Sequence, residues 1–191
     1  MRGLAVKLLE DAPARFALAG LSLGGYIAME IMRIAPDRVT RLALLDTTPL
    51  ADPPERAAFR RDVMTRSERG EFEAVFAEAM LPRLVHQDRL TDPGITDTLW
   101  GMARRIGAKT FVEQTSAAMS RDDYRPVLQS VSCPTVVICG RQDAICPIAD
   151  HRLMAATVPG ARFVAIEDCG HLSSIERPHA VTAVMQYWLQ L

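Results

Sequence analysis

The sequence predicts an α/β fold in which a mostly parallel sheet, flanked by helices, is interrupted by an inserted helical lid. Short apolar runs alternate with stretches of helical length near both ends of the chain. Between them, residues 53–129 are rich in Arg, Glu, Ala and Met, with apolar residues at helical spacing. These observations assign residues 1–52 and 130–191 to the α/β core and residues 53–129 to the lid.

The first part of the core predicts a strand, a helix and a second strand. Residues 15–21 (RFALAGL) form a continuous apolar run of strand length, and residues 24–35 have the length and composition of a buried helix. Pro36 ends this helix, and residues 41–46 (RLALLD) form the next apolar run. Strand, helix and strand within so short a segment indicate a βαβ unit and therefore a parallel sheet.

The lid is predicted to be helical because Phe72, Val75, Phe76 and Met80 follow helical spacing. Its larger apolar residues either pack the lid helices together or line a pocket for an apolar acyl group; they are Met64, Met80, Leu84, Trp100, Met102, Phe111 and Met119. Arg104 and Arg105 could meet a substrate carboxylate, although the pattern favours a solvated helix face for both.

The sheet pattern resumes after the lid. Residues 134–140 (PTVVICG) predict a strand, and residues 149–158 predict a helix. Residues 161–170 predict a strand followed by a loop, and residues 178–190 a closing helix. The core is therefore expected to contain at least four strands.

Composition excludes several classes of protein. The 191 residues are 49% hydrophobic and carry 22 basic and 23 acidic side chains, an ordinary balance for a globular protein. No charge excess points to nucleic acid or to an acidic membrane surface. The N-terminal segment has one short apolar patch followed by Glu10 and Asp11, which predicts neither a signal peptide nor a membrane span. We therefore expect a cytoplasmic protein that acts on a small molecule.

The four cysteines predict neither a metal site nor a redox motif. Cys133, Cys139, Cys146 and Cys169 form no CxxC pair and have no accompanying histidine spacing. We expect them to be reduced structural thiols.

The junction between the first strand and its helix carries the sequence Gly20-Leu21-Ser22-Leu23-Gly24. A serine at a very tight strand-to-helix turn exposes its hydroxyl at the top of the sheet, and glycines two residues before and after avoid clashes across the turn. The backbone N–H of Leu23 would then lie at a helix N-terminus, where it can donate to a developing oxyanion. The junction predicts Ser22 as a nucleophile.

A serine nucleophile needs a base and an acid that orients the base. Asp143 and His171 each follow a predicted strand, so both are expected at the sheet edge where Ser22 emerges. Asp46 also follows a strand and is the alternative to Asp143 as the orienting acid. The remaining histidines, which fall in or beside predicted helices, are expected to be solvated or packed; they are His86, His151 and His179.

Three segments, GLSLGGYIAMEI, CGRQDAICP and EDCGHLSSIERP, together resemble the signature segments of the α/β-hydrolase superfamily. The chain is similar to its capped members near 3-oxoadipate enol-lactonases, carboxylesterases and C–C bond hydrolases. The resemblance implies that Ser22 is the nucleophile, His171 the general base and acid, and Asp143 the orienting carboxylate. It implies Leu23 as one oxyanion-hole donor, and no cofactor. The expected activity is hydrolysis of a small ester, lactone or related acyl compound through an acyl-enzyme.

The segment before the nucleophile strand departs from this resemblance. Members of the superfamily carry several strands and an oxyanion-hole loop upstream of that strand, whereas residues 1–14 match only the helix that leads into it. We therefore expect an N-terminally truncated core in which strand 15–21 has an open edge and drives aggregation or homodimer formation. The alternative function is that of a non-catalytic relative that binds a ligand or a partner.

Overall fold

The computed structural model describes residues 1–191 and contains one parallel sheet of four strands in the order β1-β2-β3-β4. The strands are β1 (Phe16–Leu21), β2 (Val39–Leu45), β3 (Thr135–Gly140) and β4 (Arg162–Ile166). Helices cover both faces of this sheet. The predicted α/β fold class is confirmed.

Ten α-helices accompany the strands. They are α1 (Arg2–Asp11), α2 (Leu23–Ile34), α3 (Pro54–Arg66), α4 (Phe72–Val75), α5 (Leu81–Leu84), α6 (Pro93–Met119), α7 (Arg125–Gln129), α8 (Ile148–Thr157), α9 (Ser173–Glu176) and α10 (Pro178–Trp188). Between β2 and β3 the only regular secondary structure is helical. The long helix α6 is broken at Gly107, where φ is 71°. No helix combines the length and the apolar character needed to cross a bilayer.

One face of the sheet packs against α2 and α8. Both helices connect neighbouring parallel strands, and right-handed crossovers in one direction along a sheet place their helices on the same face. Their side chains Met29 and Met154 are fully buried against Leu42 and Val137 of the central strands. Helix α7 adds Leu128 to the same core, although it lies within the range predicted as the lid.

The opposite face of the sheet packs against α10. Val181 and Trp188 of this helix lie in a second buried cluster with Ala43 and Val136 from the central strands. Residues 161–170 form a strand and a loop as predicted, since β4 ends at Ile166 and the chain then turns. This turn leads to the loop that carries His171.

Strand β1 forms one edge of the sheet. It pairs with β2 alone, from Phe16 to Leu21. Ala17 and Ala19 are exposed, whereas the central strand β3 is buried along its whole length. The structure therefore has the open edge that the sequence predicts.

Candidate active site

Ser22 occupies the tight turn between β1 and α2. Its backbone has φ 51° and ψ −112°, a conformation that residues with a side chain seldom adopt. The Ser22 N–H donates to the carbonyl of Leu45 at 2.9 Å, which ties the turn to the end of the neighbouring strand. Such backbone strain is characteristic of functional sites and of nucleophile turns in particular.

The glycines of this turn have different roles from those predicted. A Cβ at Gly20 would overlap the carbonyl of Gly24, so the close approach of strand and helix requires glycine there. A Cβ at Gly24 would meet no neighbouring atom, and the expectation that Gly24 prevents a clash is wrong. The second crowded position is Gly25, where a Cβ would overlap the side chain of Thr47 at the end of β2.

The structure brings Ser22, His171 and Asp143 into one hydrogen-bonded chain. The distance from Ser22 Oγ to His171 Nε2 is 2.8 Å, and the distance from His171 Nδ1 to Asp143 Oδ2 is also 2.8 Å. The other carboxylate oxygen of Asp143 accepts from the N–H groups of Ile145 and Cys146. Both Asp143 and His171 are buried, so the loops after β3 and β4 hold them in fixed positions.

Asp46, the alternative acid, makes no hydrogen bond to His171. Its carboxylate accepts from the Gly140 N–H at 3.1 Å and from both the N–H and the hydroxyl of Ser173. Burial raises the pKa of Asp46 to about 7, although the bond from Ser173 opposes this shift. Asp46 thus joins the ends of β2 and β3 to the loop that carries His171.

The other histidines make no hydrogen bond to Ser22. His151 is fully buried, with Nε2 accepting from the Thr47 N–H and Nδ1 within 3.2 Å of the Pro147 carbonyl. Burial lowers the pKa of His151, which favours this neutral, fully bonded imidazole. His86 caps a short helical turn, and His179 is exposed on α10.

The Leu23 N–H is positioned to stabilise negative charge beside Ser22. It is the first N–H of helix α2 and donates to no protein acceptor. Free N–H groups at a helix N-terminus attract anions, because the helix dipole adds to their own partial charge.

The chain offers one group of side chains with the spacing of metal ligands, and it overlaps the hydrogen-bonded chain. Ligand atoms of Asp143, Cys146 and His171 lie within 4.8 Å of one another. Asp143 and His171 already bond to each other, and burial raises the pKa of the Cys146 thiol, which disfavours the thiolate that a metal needs. The donor set is therefore better suited to proton transfer.

A cavity of about 140 Å³ opens at Ser22 and His171 beneath the lid. Its other lining residues are Arg56, Phe59, Arg60, Val63, Met80, Arg83, Leu84, Phe111, Thr115 and Ile145. Three of the apolar lid residues singled out in the sequence, Met80, Leu84 and Phe111, therefore face the cavity. They also border a second, almost wholly apolar cavity of about 260 Å³ between the lid helices, which Met102 lines as well.

The lid arginines at the cavity are not those considered from the sequence. Arg104 stacks on Trp100 and contacts Glu73, and Arg104 and Arg105 line neither cavity. The cavity arginines are Arg56 and Arg60 of α3 and Arg83 of α5. On α3 the signal was present, because positions 56, 59, 60 and 63 share one face of a helix.

Similar proteins of known structure are hydrolases. A thermophilic esterase from Thermogutta terrifontis, studied with malate bound, is 34% identical and superimposes with a TM-score of 0.87, covering 98% of this chain and 68% of that one. The enol-lactonase from Burkholderia xenovorans LB400 is 27% identical with a TM-score of 0.84, covering 100% of this chain and 72% of that one.

Sequence comparison gives the same family. A pimeloyl-[acyl-carrier protein] methyl ester esterase from Aromatoleum aromaticum is 29% identical over 199 residues, which covers 94% of this chain and 76% of the relative. The model of the alpha/beta hydrolase family matches residues 2–184, nearly the whole chain. With its parallel sheet and its strand-to-helix serine turn, the chain belongs to the alpha/beta hydrolase family.

Proposed function

We propose that this chain is a serine hydrolase that cleaves a small ester or lactone through an acyl-enzyme. The observation that carries the proposal is the hydrogen-bonded chain from Ser22 Oγ through His171 to Asp143, with both bonds at 2.8 Å. A hydroxyl bonded to an imidazole whose other nitrogen faces a buried carboxylate is the arrangement that activates serine.

Each group has one task in the proposed reaction. Ser22 Oγ attacks the carbonyl carbon while its proton passes to His171 Nε2, and the Leu23 N–H donates to the resulting oxyanion. The carbon–oxygen bond of the ester then breaks, and the alkoxide leaves with the proton from His171. Water attacks the acyl-enzyme in the same way, so that the acid is released and the Ser22 hydroxyl is restored. Asp143 stays ionised and stabilises the imidazolium.

The names of the relatives support an acyl substrate. Three of the similar proteins are named as an esterase, a methyl ester esterase and an enol-lactonase. All three names denote cleavage of a carbonyl–oxygen bond. The apolar walls that Met80, Leu84 and Phe111 contribute suit an acyl chain of moderate size.

A fluorophosphonate probe tests the proposed nucleophile. We expect the probe to label Ser22 of the folded chain, because only this serine has a hydroxyl bonded to an imidazole. Peptide mass spectrometry would locate the label. Ser22→Ala should abolish labelling and ester hydrolysis, whereas Ser174→Ala, a change at an exposed serine of α9, should retain both.

Two results would contradict the proposal. Labelling of a different serine, or labelling that persists in Ser22→Ala, would remove Ser22 as the nucleophile. A folded wild-type chain that is neither labelled nor able to hydrolyse p-nitrophenyl esters would favour the non-catalytic alternative.

A further inference from the structure

Three arginines line the cavity into which Ser22 opens. Arg56 and Arg60 lie one turn apart on α3, and Arg83 reaches the cavity from α5. No acidic side chain lines the cavity with them, and Asp143 lies behind His171. The space next to the proposed nucleophile therefore carries a concentration of positive charge.

Only one of these arginines is neutralised by the protein. Arg60 Nε lies 2.9 Å from the Asp52 carboxylate, which also binds the buried Arg121 at 2.6 Å. Arg56 and Arg83, in contrast, have no carboxylate within 4.0 Å and make no side-chain hydrogen bond. Their guanidinium groups are left available to a ligand.

The positive charges of the three arginines repel one another. Burial lowers the pKa of Arg83, and the nearby charges of Arg56 and Arg60 lower it further. Its guanidinium nevertheless has a fixed position, since it lies 4.4 Å from the centre of the Phe59 ring. A bound anion would remove the repulsion, and a guanidinium already held in place loses little entropy on binding it.

We infer that Arg56 and Arg83 form a subsite for a carboxylate of the substrate, so that the enzyme acts on esters or lactones that carry a second, ionised carboxyl group. This inference rests on the proposed hydrolase function and names its substrate class. Guanidinium groups match a planar carboxylate through paired N–H bonds. The cavity of about 140 Å³ must hold the ester as well as the anion. A carboxylate is smaller than a phosphate and therefore fits this requirement better.

The remaining walls of the cavity fit the rest of such a substrate. Met80, Leu84 and Phe111 offer apolar contacts to the methylene groups that separate the two carboxyl carbons. The Thr115 hydroxyl also lines the cavity and is bonded to no protein group, so it can donate to the same carboxylate. The subsite would thus select an anion at one end and offer apolar contacts along its length.

Two matched esters test the inference. The p-nitrophenyl monoester of adipic acid carries a free carboxylate, and its carboxamide analogue has nearly the same shape without the charge. For the wild-type protein we expect kcat/KM for the carboxylate ester to exceed that for the carboxamide by about tenfold to a hundredfold. High salt should reduce this preference, because it screens the ion pair.

Substitution of the arginines should remove the preference selectively. In Arg56→Gln with Arg83→Gln, the ratio of kcat/KM for the carboxylate ester to kcat/KM for the carboxamide should fall to about one. Arg61→Gln is the matched control, since Arg61 is exposed on α3, lines no cavity and should leave the preference unchanged. Equal kcat/KM values for the two esters in the wild-type protein would overturn the inference while leaving the hydrolase function intact.

A binding measurement separates this inference from the proposed function. In Ser22→Ala, which cannot form an acyl-enzyme, adipate should raise the melting temperature, and the arginine double variant should abolish the rise. Binding of adipate by a protein that hydrolyses no ester would refute the proposed function and leave the subsite standing. A rise that inorganic phosphate matches, or that persists without Arg56 and Arg83, would overturn the carboxylate assignment.

Discussion

Asp46 and Asp143 follow neighbouring strands of the sheet, yet the structure gives them different surroundings. Asp143 contacts the imidazole of His171, whereas Asp46 contacts Gly140 and Ser173. Asp143 lies three residues beyond the end of β3, whereas Asp46 directly follows β2 and its N–H still donates to the Ile138 carbonyl of β3. The proposed chemistry assigns the orienting role to Asp143 alone.

Asn substitutions at these two positions should therefore have different effects on turnover. In Asp143→Asn an amide in place of the carboxylate favours the wrong tautomer of His171, and we expect kcat to fall by about ten-thousandfold. Asp46→Asn should retain most of the turnover, because Asp46 makes no hydrogen bond to His171. Initial-rate measurements on a p-nitrophenyl ester compare the two variants.

Asp46→Asn should lower the stability of the protein although it keeps most of the turnover. In Asp46→Asn one carboxylate oxygen becomes an NH₂ group, which cannot accept, so the N–H of either Gly140 or Ser173 loses its acceptor. The variant loses a bond worth about 1 kcal/mol and melts at a lower temperature.

If Asp46→Asn lost its activity while Asp143→Asn kept it, the orienting acid would be Asp46.

At the scale of elements, the Asp52 carboxylate connects the lid to the core. It binds Arg60 of lid helix α3 on one side and Arg121, beyond the end of α6, on the other. The Arg121 side chain is fully buried, stacks on Tyr26 of α2 and donates to the carbonyls of Leu50 and Ala118. One carboxylate therefore helps to hold α2, α3 and the end of α6 together.

Removal of this carboxylate should destabilise the protein strongly. Asp52→Ala leaves the buried Arg121 charge without its acid, and breaking such a pair costs about 3–5 kcal/mol. Denaturant unfolding would measure the loss, and Asp62→Ala, at an exposed position of α3, is the matched control. A loss no larger than that of the control would show that the carbonyl bonds of Arg121 suffice.

The lid segment also meets the loop that carries His171. The Glu176 carboxylate accepts from the N–H of His86 in the lid segment and from the N–H of Gly170 next to His171. The Leu172 N–H donates to the carbonyl of Leu84, a residue that lines the cavity. These bonds tie the chain around Leu84 and His86 to the loop that carries His171.

At the scale of the whole molecule, β1 forms an edge of the sheet and pairs with β2 alone. The N–H and C=O groups on its outer side have no partner strand, and such edges pair with other chains. We propose that the 191-residue chain self-associates through this edge, as a homodimer or as larger aggregates. Light scattering at two protein concentrations should give an average mass above that of a monomer.

A charge placed on the edge should reverse this association. Ala19→Lys adds a lysine at an exposed position of β1, where a charged side chain opposes strand pairing. Ala183→Lys adds the same charge at an exposed position of α10 and should leave the mass unchanged. A wild-type chain that remains monomeric and whose melting temperature ignores concentration would contradict this proposal.

The sequence by itself determined the order of the elements, the class of the fold and the turn that holds Ser22. These features depend on local patterns: apolar runs of strand length, helical spacing, and glycine at a crowded turn. The expectation that Asp143 and His171 approach Ser22 also followed from sequence, because parallel strands bring their carboxyl ends to one edge. The role given to Gly24 was wrong, because the second crowded position is Gly25, which faces Thr47 just after β2.

Only the tertiary structure decided which arginines face the proposed nucleophile. Arg56 and Arg60 share a helix face that the sequence spacing indicates, but no local pattern shows that this face, and not the one with Arg104 and Arg105, turns toward Ser22. That choice depends on contacts between segments far apart in sequence, such as Asp52 with Arg121 and Glu176 with His86. Long-range packing thus fixes the charge of the cavity, whereas local sequence fixes the turn that holds Ser22.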